Sequence, residues 1–274
     1  MADIHFEQPA DRDINRYDID TEQVQELTRA LLTEQPSTTD ENFICYQLDG
    51  ASDLSDIGRY VERVVFENTF GNDAAEMKEE YGAYEDNSVF YVTIDQAAAM
   101  PVGVLRVIKQ GEAGLKTIND LLEMMPELTL DMIYERHAIA QDEEVWDVGT
   151  VAVLPEYRDK SGKGSAASVQ LFRALYLDAM NHDVKHMVSV IDRKAHQKLT
   201  GFLGVPFVPL ADLKPFSYLG SKKSRAVYGR VDSFYEKMSA RPKGPIGRVQ
   251  RHLAHAAWEK LVMGTRDHTI MGPK

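Results

Sequence analysis

Cysteine is nearly missing from this chain: Cys45 stands alone among 274 residues. One thiol excludes an internal disulfide framework and a cysteine-rich zinc site. With no basic neighbour in sequence to activate it, Cys45 reads as a structural thiol within a strand. No apolar run approaches the length of a transmembrane helix. The opening Met-Ala-Asp-Ile-His-Phe-Glu lacks the basic and apolar parts of a signal peptide, so the cytoplasm is the expected compartment. The eight histidines show no HExxH-like spacing, and no metal site is expected. Positive charge is in deficit, 31 Lys and Arg against 43 Asp and Glu, and the net charge of −12 argues against general nucleic-acid binding.

What remains is an ordinary globular composition, 43% hydrophobic and 27% charged, long enough for one large domain or two small ones. The charge is uneven. Residues 1–40 hold ten acids and three Arg, whereas 241–274 hold seven Lys and Arg against Glu259 and Asp267. The expected organisation is an acidic arm and helix over 1–40, a main domain over 41–238 and a basic extension over 239–274.

Asp147 to Asn181 organises the rest. An apolar, β-branched stretch from Val148 to Leu154 predicts a buried strand, stopped by Pro155. The turn carries Arg158, Lys160, Ser161, Gly162, Lys163, Gly164 and Ser165. Beyond it Val169, Phe172, Tyr176 and Met180 share one helical face. Strand, basic glycine turn and helix N-terminus together make an anion site: free N–H groups, the positive dipole end, and glycines that admit an oxygen-rich ligand. The alternative is a solvated loop. Gly162-Lys163 is followed by Gly164 and preceded by no glycine at 157 or 158, so it is not a P-loop; Ala167 replaces the third glycine of a dinucleotide fingerprint.

In chain order, Thr21 is placed as cap of a helix lined by Val24, Leu27 and Leu31, and 35–41 reads as a linker. A strand over 42–48 precedes a helix with an apolar stripe at Leu54, Ile57, Val61, Val64 and Val65. Residues 74–84 read as a charged helix or loop. Strands over 88–94 and 102–108 form an antiparallel pair. A short helix covers 118–125, and 132–140 is mixed, with room for a short strand. After the central unit come a strand over 185–191, parallel to its predecessor, and a helix over 193–202. Closing strands span 206–210 and 226–231, with a long loop at 215–223. The fold class is α/β: a mixed sheet with a central parallel pair flanked by helices, plus N- and C-terminal extensions.

The phrase Val151-Ala-Val-Leu-Pro-Glu-Tyr-Arg158, then Gly162-Lys-Gly-Ser-Ala166 and a helix, resembles motif A of the GNAT acyltransferase superfamily. There an Arg or Gln, two residues, Gly, one residue and Gly or Ala hold the pyrophosphate of coenzyme A. Here that first slot falls on Asp159, with Arg158 one place early. The order of elements over 42–235 also resembles that fold. Arg63-Val-Val-Phe-Glu, Tyr84-Glu-Asp-Asn-Ser-Val-Phe-Tyr-Val and Val102-Gly-Val-Leu-Arg106 resemble the first half of autoinducer synthases and N-acyl amino acid synthases. The resemblance implies acyl-CoA or acyl carrier protein as donor, a small amine as acceptor, and no permanently bound cofactor. It places Val151, Val153, Arg158, Gly162, Lys163, Gly164, Ser165 and Ala166 around the donor, and Arg106, with Glu85 and Asp86, near the active centre.

Acyl transfer to an amine needs a base, a donor for the thioester oxygen and an acid for the departing thiolate. Glu144 and Asp147, with Glu135 upstream, are the candidate bases; backbone N–H groups around Val151 to Val153 are the candidate donors; Tyr218, Tyr228 and His196 are the candidate acids. Ordinary surface or packing roles are the alternative for each. The C-terminal extension carries an apolar stripe at Ile246, Val249, Leu253, Ala256, Ala257 and Leu261 beside Arg248, Arg251 and Lys260. Docking on the protein body or a second subunit, contact with a membrane surface, and contact with an acidic acyl carrier protein are all open to it. Two rival functions stand beside N-acyl transfer: an autoinducer-type acyl homoserine lactone synthase, and a non-catalytic acyl-CoA-binding module.

Overall fold

Asp20 opens the first helix, α1 (Thr21–Glu34), in place of the expected Thr21: its carboxylate accepts the Gln23 N–H while the Gln23 side chain takes the Asp20 N–H. The computed structural model describes residues 15–37, 41–158, 163–202 and 205–234, without the side chains of 163–165 and 201–202. Residues 1–14 of the expected N-terminal arm, residues 159–162 of the expected turn, residues 203–204 and 235–238, and the expected extension over 239–274 lie outside the described residues.

The remaining elements are β1 (Phe43–Asp49), α2 (Asp56–Phe70), α3 (Ala74–Tyr81), β2 (Ser88–Asp95), β3 (Met100–Ile108), α4 (Lys116–Met124), α5 (Leu130–His137), β4 (Val145–Val153), α6 (Lys163–Asn181), β5 (His186–Asp192), α7 (Arg193–His196), β6 (Val208–Pro209), β7 (Phe216–Tyr218) and β8 (Ser221–Arg230). The sheet order is β1-β2-β3-β4-β5-β8-β6, with β7 also on β8. Among the described residues only β4 and β5 are parallel, and every other pair is antiparallel.

Alternation along the strands feeds two faces. On one, Val24 and Leu31 of α1 and Ile57 and Val61 of α2 bury against Ile44, Tyr46, Phe90, Val104 and Ala152. Beside them α4 and α5 cover Val145, Val188 and Ala226 with Ile118, Leu121 and Ile133. On the other face α6 packs Leu171, Ala174 and Leu175 over Leu105, Val107 and Trp146. Tyr17, Ile19, Val24 and Leu31 are all buried, so residues 15–34 are built into the body.

Three elements differ from the sequence expectation. Residues 130–137 are helical, not mixed: the Thr129 hydroxyl accepts the Met132 N–H at 3.2 Å, and Ile133 and Tyr134 turn inward. The expected long loop at 215–223 contains β7, which pairs back on β8. The helix expected over 193–202 is α7 followed by a π-helical turn over Gln197–Phe202. Cys45 lies in β1 as expected, and burial pushes its thiol up to about 12. No helix among the described residues is long and apolar enough to cross a membrane.

Candidate active site at the parted strands

β4 and β5 pair only from Val145 to Asp147 and from His186 to Val188. One step further the Ser189 hydroxyl donates to the Val148 carbonyl at 2.7 Å and replaces the missing ladder bond. Beyond that point the strands part. The cause is visible on the other edge of β4. Thr150 faces Arg106 and Val148 faces Val107, leaving Gly149 as the extra residue of a β-bulge. A bulge bends its strand and strengthens the local twist, which turns β4 away from β5.

The parting leaves main chain uncovered. Leu154 donates its N–H to the Val102 carbonyl at 2.9 Å. By the alternation of an antiparallel ladder, the N–H and C=O groups of Val153 and Val151 point the other way, to the open edge. Arg158 confirms the direction, donating from Nε to the Val153 carbonyl at 2.6 Å. Val151 is 42% exposed, unusual for a valine in the middle of a sheet.

Pro155–Tyr157 makes one tight turn and α6 begins at Lys163. The N–H groups of its first turn, Lys163 to Ala166, have no intrahelical partners and carry the positive end of the dipole. Ala166 is exposed and Ala167 is buried. Gly103 lets α6 approach: a Cβ there would meet Leu171 Cδ1 at 3.2 Å. Burial lowers the pKa of Arg158, which lies within this turn. Gly162 lies outside the described residues, as do the side chains of Lys163, Gly164 and Ser165.

Across the bulge, on the α2–α4 face, sits a compact polar cluster. The Tyr81 hydroxyl donates to the Gly149 carbonyl at 3.3 Å and accepts from the Thr150 hydroxyl at 3.5 Å. Its ring lies 4.4 Å from the Arg106 guanidinium and 5.3 Å from the Lys116 ammonium. Lys116 Nζ bonds Glu80 at 2.6 Å and Asp120 at 2.7 Å, and rests 5.7 Å from the Tyr218 ring. The Tyr218 hydroxyl donates to Asp120. Burial pushes Tyr81 up to about 12 and Tyr218 higher still.

Asp147 joins this cluster from β4. Its carboxylate is fully buried and accepts the Thr117 N–H at 2.5 Å and hydroxyl at 2.8 Å, capping the start of α4. Burial raises it to about 7, and Asp120 adds to the effect. The structure thus brings Asp147 and Tyr218 together. It does not bring Glu144 to them. Glu144 is exposed before β4, bonded to its neighbour Trp146 at 2.7 Å, and lies at the closed end of the pair. Seven residues separate it from Val151, roughly 23 Å of strand. Glu135 is exposed on α5. Tyr228 bonds His186 at 2.7 Å, also at the closed end. His196 sits on α7.

Arg106 is fully buried. Its Nη2 bonds Glu62 at 2.9 Å and Glu85 at 3.3 Å, and also the Tyr17 hydroxyl. Arg59 Nε continues the chain to Glu85 at 2.8 Å, and Asp56 links Arg59 to Arg16. Arg106 Nε and Nη1 and Glu62 Oε1 are buried with no protein partner among the described residues. Asp86 is exposed and takes no part. Sequence reasoning missed Tyr17, Arg59, Glu62, Tyr81 and Lys116. Arg59 and Glu62 had a signal: they interrupt the buried side of α2, where an exposed face would have excused them.

Comparison with family models and with curated proteins returned no match. Among solved structures, the chain is similar to FeeM, an N-acyl amino acid synthase from uncultured soil microbes. The two share 14% identity over 71% of this chain and 94% of that one, with a TM-score of 0.53. Weaker likenesses include BjaI, a CoA-dependent acyl-homoserine lactone synthase, at 10% identity over 84% and 93% and a TM-score of 0.45. A second is a putative N-acetyltransferase from Lactobacillus plantarum, at 13% over 70% and 99% and 0.45. At 14% identity the FeeM likeness establishes a shared fold, and the mixed sheet with a central parallel pair flanked by helices, expected from the sequence, is the one observed.

Proposed function

We propose that this protein is an N-acyltransferase that moves an acyl group from acyl-coenzyme A to a small primary amine. The observation that carries the reading is the open edge of β4, with Val151 and Val153 presenting main-chain groups beside the N-terminus of α6. The fold shared with an N-acyl amino acid synthase supports it and makes an amino acid the first acceptor to test.

In this reading the donor lies against the open edge. Its pyrophosphate meets the first turn of α6, at Lys163, Gly164, Ser165 and Ala166, with Gly162 just before them in sequence and Arg158 adding charge. The Val151 N–H, with Val153 next along the edge, donates to the thioester oxygen as it gains charge. The amine attacks the carbonyl carbon, a C–N bond forms, the C–S bond breaks and the thiolate takes up a proton. Proton handling falls to the cluster at the bulge: Asp147 titrates near neutrality, and Tyr218 and Tyr81 keep their protons. Arg106 is a positioning residue that holds the Tyr81 ring. Acyl carrier protein is the alternative donor. The single thiol is in keeping with a reducing compartment.

The complete enclosure of Asp147 favours a second reading, a non-catalytic acyl-CoA-binding module. One experiment separates the two. Acyl-CoAs of increasing chain length are titrated by native mass spectrometry, and thiol release is then followed with amino acids and simple amines. Binding with amine-dependent release supports the transferase, binding without release supports the module, and no binding sinks the coenzyme A assignment.

A further inference from the structure

The corner between α4 and α5 combines two features that rarely share a surface. Met124, Leu130 and Met132 are 44%, 40% and 50% exposed, three of the six exposed large apolar side chains in the described residues. Around them stand Glu123, Glu127, Asp131 and Glu135, all exposed, none with a basic partner among the described residues. An apolar patch ringed by carboxylates repels an anionic lipid surface and an acidic carrier protein. It fits a segment with apolar residues at helical spacing and basic residues beside them.

The chain supplies such a segment. Residues 241–261 carry Ile246, Val249, Leu253, Ala256, Ala257 and Leu261, with Arg248, Arg251 and Lys260 alongside. The described chain ends at Phe234, which with Val231 packs in the α6 core on the opposite face of the sheet, so the segment has to pass round the sheet to reach the patch. The His137 ring at the end of α5 stacks 4.1 Å from Tyr228, and Val231 donates its N–H to the Lys185 carbonyl at 2.9 Å. From His137 back to Leu130 is about 11 Å of helix. The eleven residues between Phe234 and Ile246 reach up to about 36 Å at about 3.3 Å each, a tether long enough to leave the α6 face.

We infer that the basic segment 241–261 of the same chain occupies the acidic methionine face of α4 and α5. Charge complementarity and the length of the tether select this occupant over a foreign partner.

The test uses the full chain and its own methionines as probes. Met124, Met132 and Met180 have nearly equal exposure in the described body, at 44%, 50% and 49%, and Met180 on α6 serves as the internal reference. Thioethers oxidise in step with their accessibility, so brief hydroxyl-radical footprinting reads out coverage. The expected result is that Met124 and Met132 oxidise severalfold more slowly than Met180. Leu253→Asp with Leu261→Asp, and separately Glu123→Lys with Glu127→Lys, bring them to the Met180 rate. The second pair lies on the surface and leaves the core untouched. Equal oxidation of all three methionines in the unaltered chain overturns the assignment, and so does protection of Met180 instead. Protection that grows with protein concentration assigns the face to a second copy and overturns the intramolecular contact.

Discussion

The two ends of the β4–β5 pair solve opposite problems. At the closed end every strong polar group finds a side chain. His186 bonds Tyr228 at 2.7 Å and Glu143 at 3.0 Å, Lys185 bonds Glu143 at 3.1 Å, and His137 takes the Ala211 N–H at 2.9 Å. At the open end β4 offers Gly149, Val151, Ala152 and Val153, while the one polar side chain of that run, Thr150, is buried and turned to Tyr81, so what remains for a ligand is main chain. A single extra residue at Gly149 releases the backbone groups that a regular pair would have consumed, which is what the proposed reaction asks of this strand.

Removing one of those backbone groups tests the contrast most severely. Val151→Pro deletes an N–H that no neighbouring strand takes, so the sheet tolerates it while the proposed oxyanion donor is lost. The expected result is a fall in kcat of about 10²–10³-fold, the range seen when one such donor is removed. Circular dichroism should stay native-like and acyl-CoA should still bind. A loss of folding instead would mean that the open edge is a structural one.

Arg106→Met comes next. It leaves Glu62, fully buried and already raised by burial, without its cation. Breaking a buried pair from one side costs about 3–5 kcal/mol, read as a drop in urea midpoint. Adding Glu62→Gln should recover part of it, because a neutral amide tolerates burial better than an unpaired carboxylate.

The same contrast explains what the sequence revealed. The bulge region was legible because valine runs, Pro155 and the basic glycine turn are local signals. The parallel pairing of β4 and β5 followed from strand–helix alternation. Asp147 and Tyr218 were picked as candidates, and both reach α4, Asp147 at Thr117 and Tyr218 at Asp120, an arrangement no spacing reveals. Glu144 differs from Asp147 by three positions, yet one ends in solvent and the other caps α4. Tyr81 was hidden in a segment that read only as charged. Its importance comes from α3 placing its hydroxyl on the Gly149 carbonyl, a long-range fact.

Titration sharpens the comparison with opposite signs at the two ends. Asp147, ordinarily near 3.8, is held up to about 7 chiefly by burial. The fold therefore keeps a proton that the unfolded chain releases, and this stabilisation is present below about pH 3.8 and lost as pH rises through about 7. Asp147→Asn can keep both Thr117 contacts if the hydroxyl reverses direction. Its urea midpoint relative to wild type should be higher at pH 8 than at pH 5. His137 runs the other way, held down from 6.5 to about 4 by burial and then Arg136. The unfolded chain accepts a proton that the fold refuses, so stability falls as pH drops from about 6.5 towards about 4. His137→Phe keeps the stack on Tyr228 and should flatten that acid slope, while losing the Ala211 contact at every pH.

The smallest expected effect is the most discriminating for the assignment of roles. Glu144 is exposed, its one bond is to the adjacent Trp146 indole, and about 23 Å of strand separates it from Val151. Glu144→Gln retains an oxygen for that bond. The substitution should move stability by no more than about 0.5 kcal/mol, as surface changes usually do, and leave kcat/KM and its pH profile unchanged. If kcat instead fell and the profile lost its acidic limb, the base would lie at the closed end. The donor would then have to reach across the paired segment, and the open edge of β4 would lose its place as the reaction site.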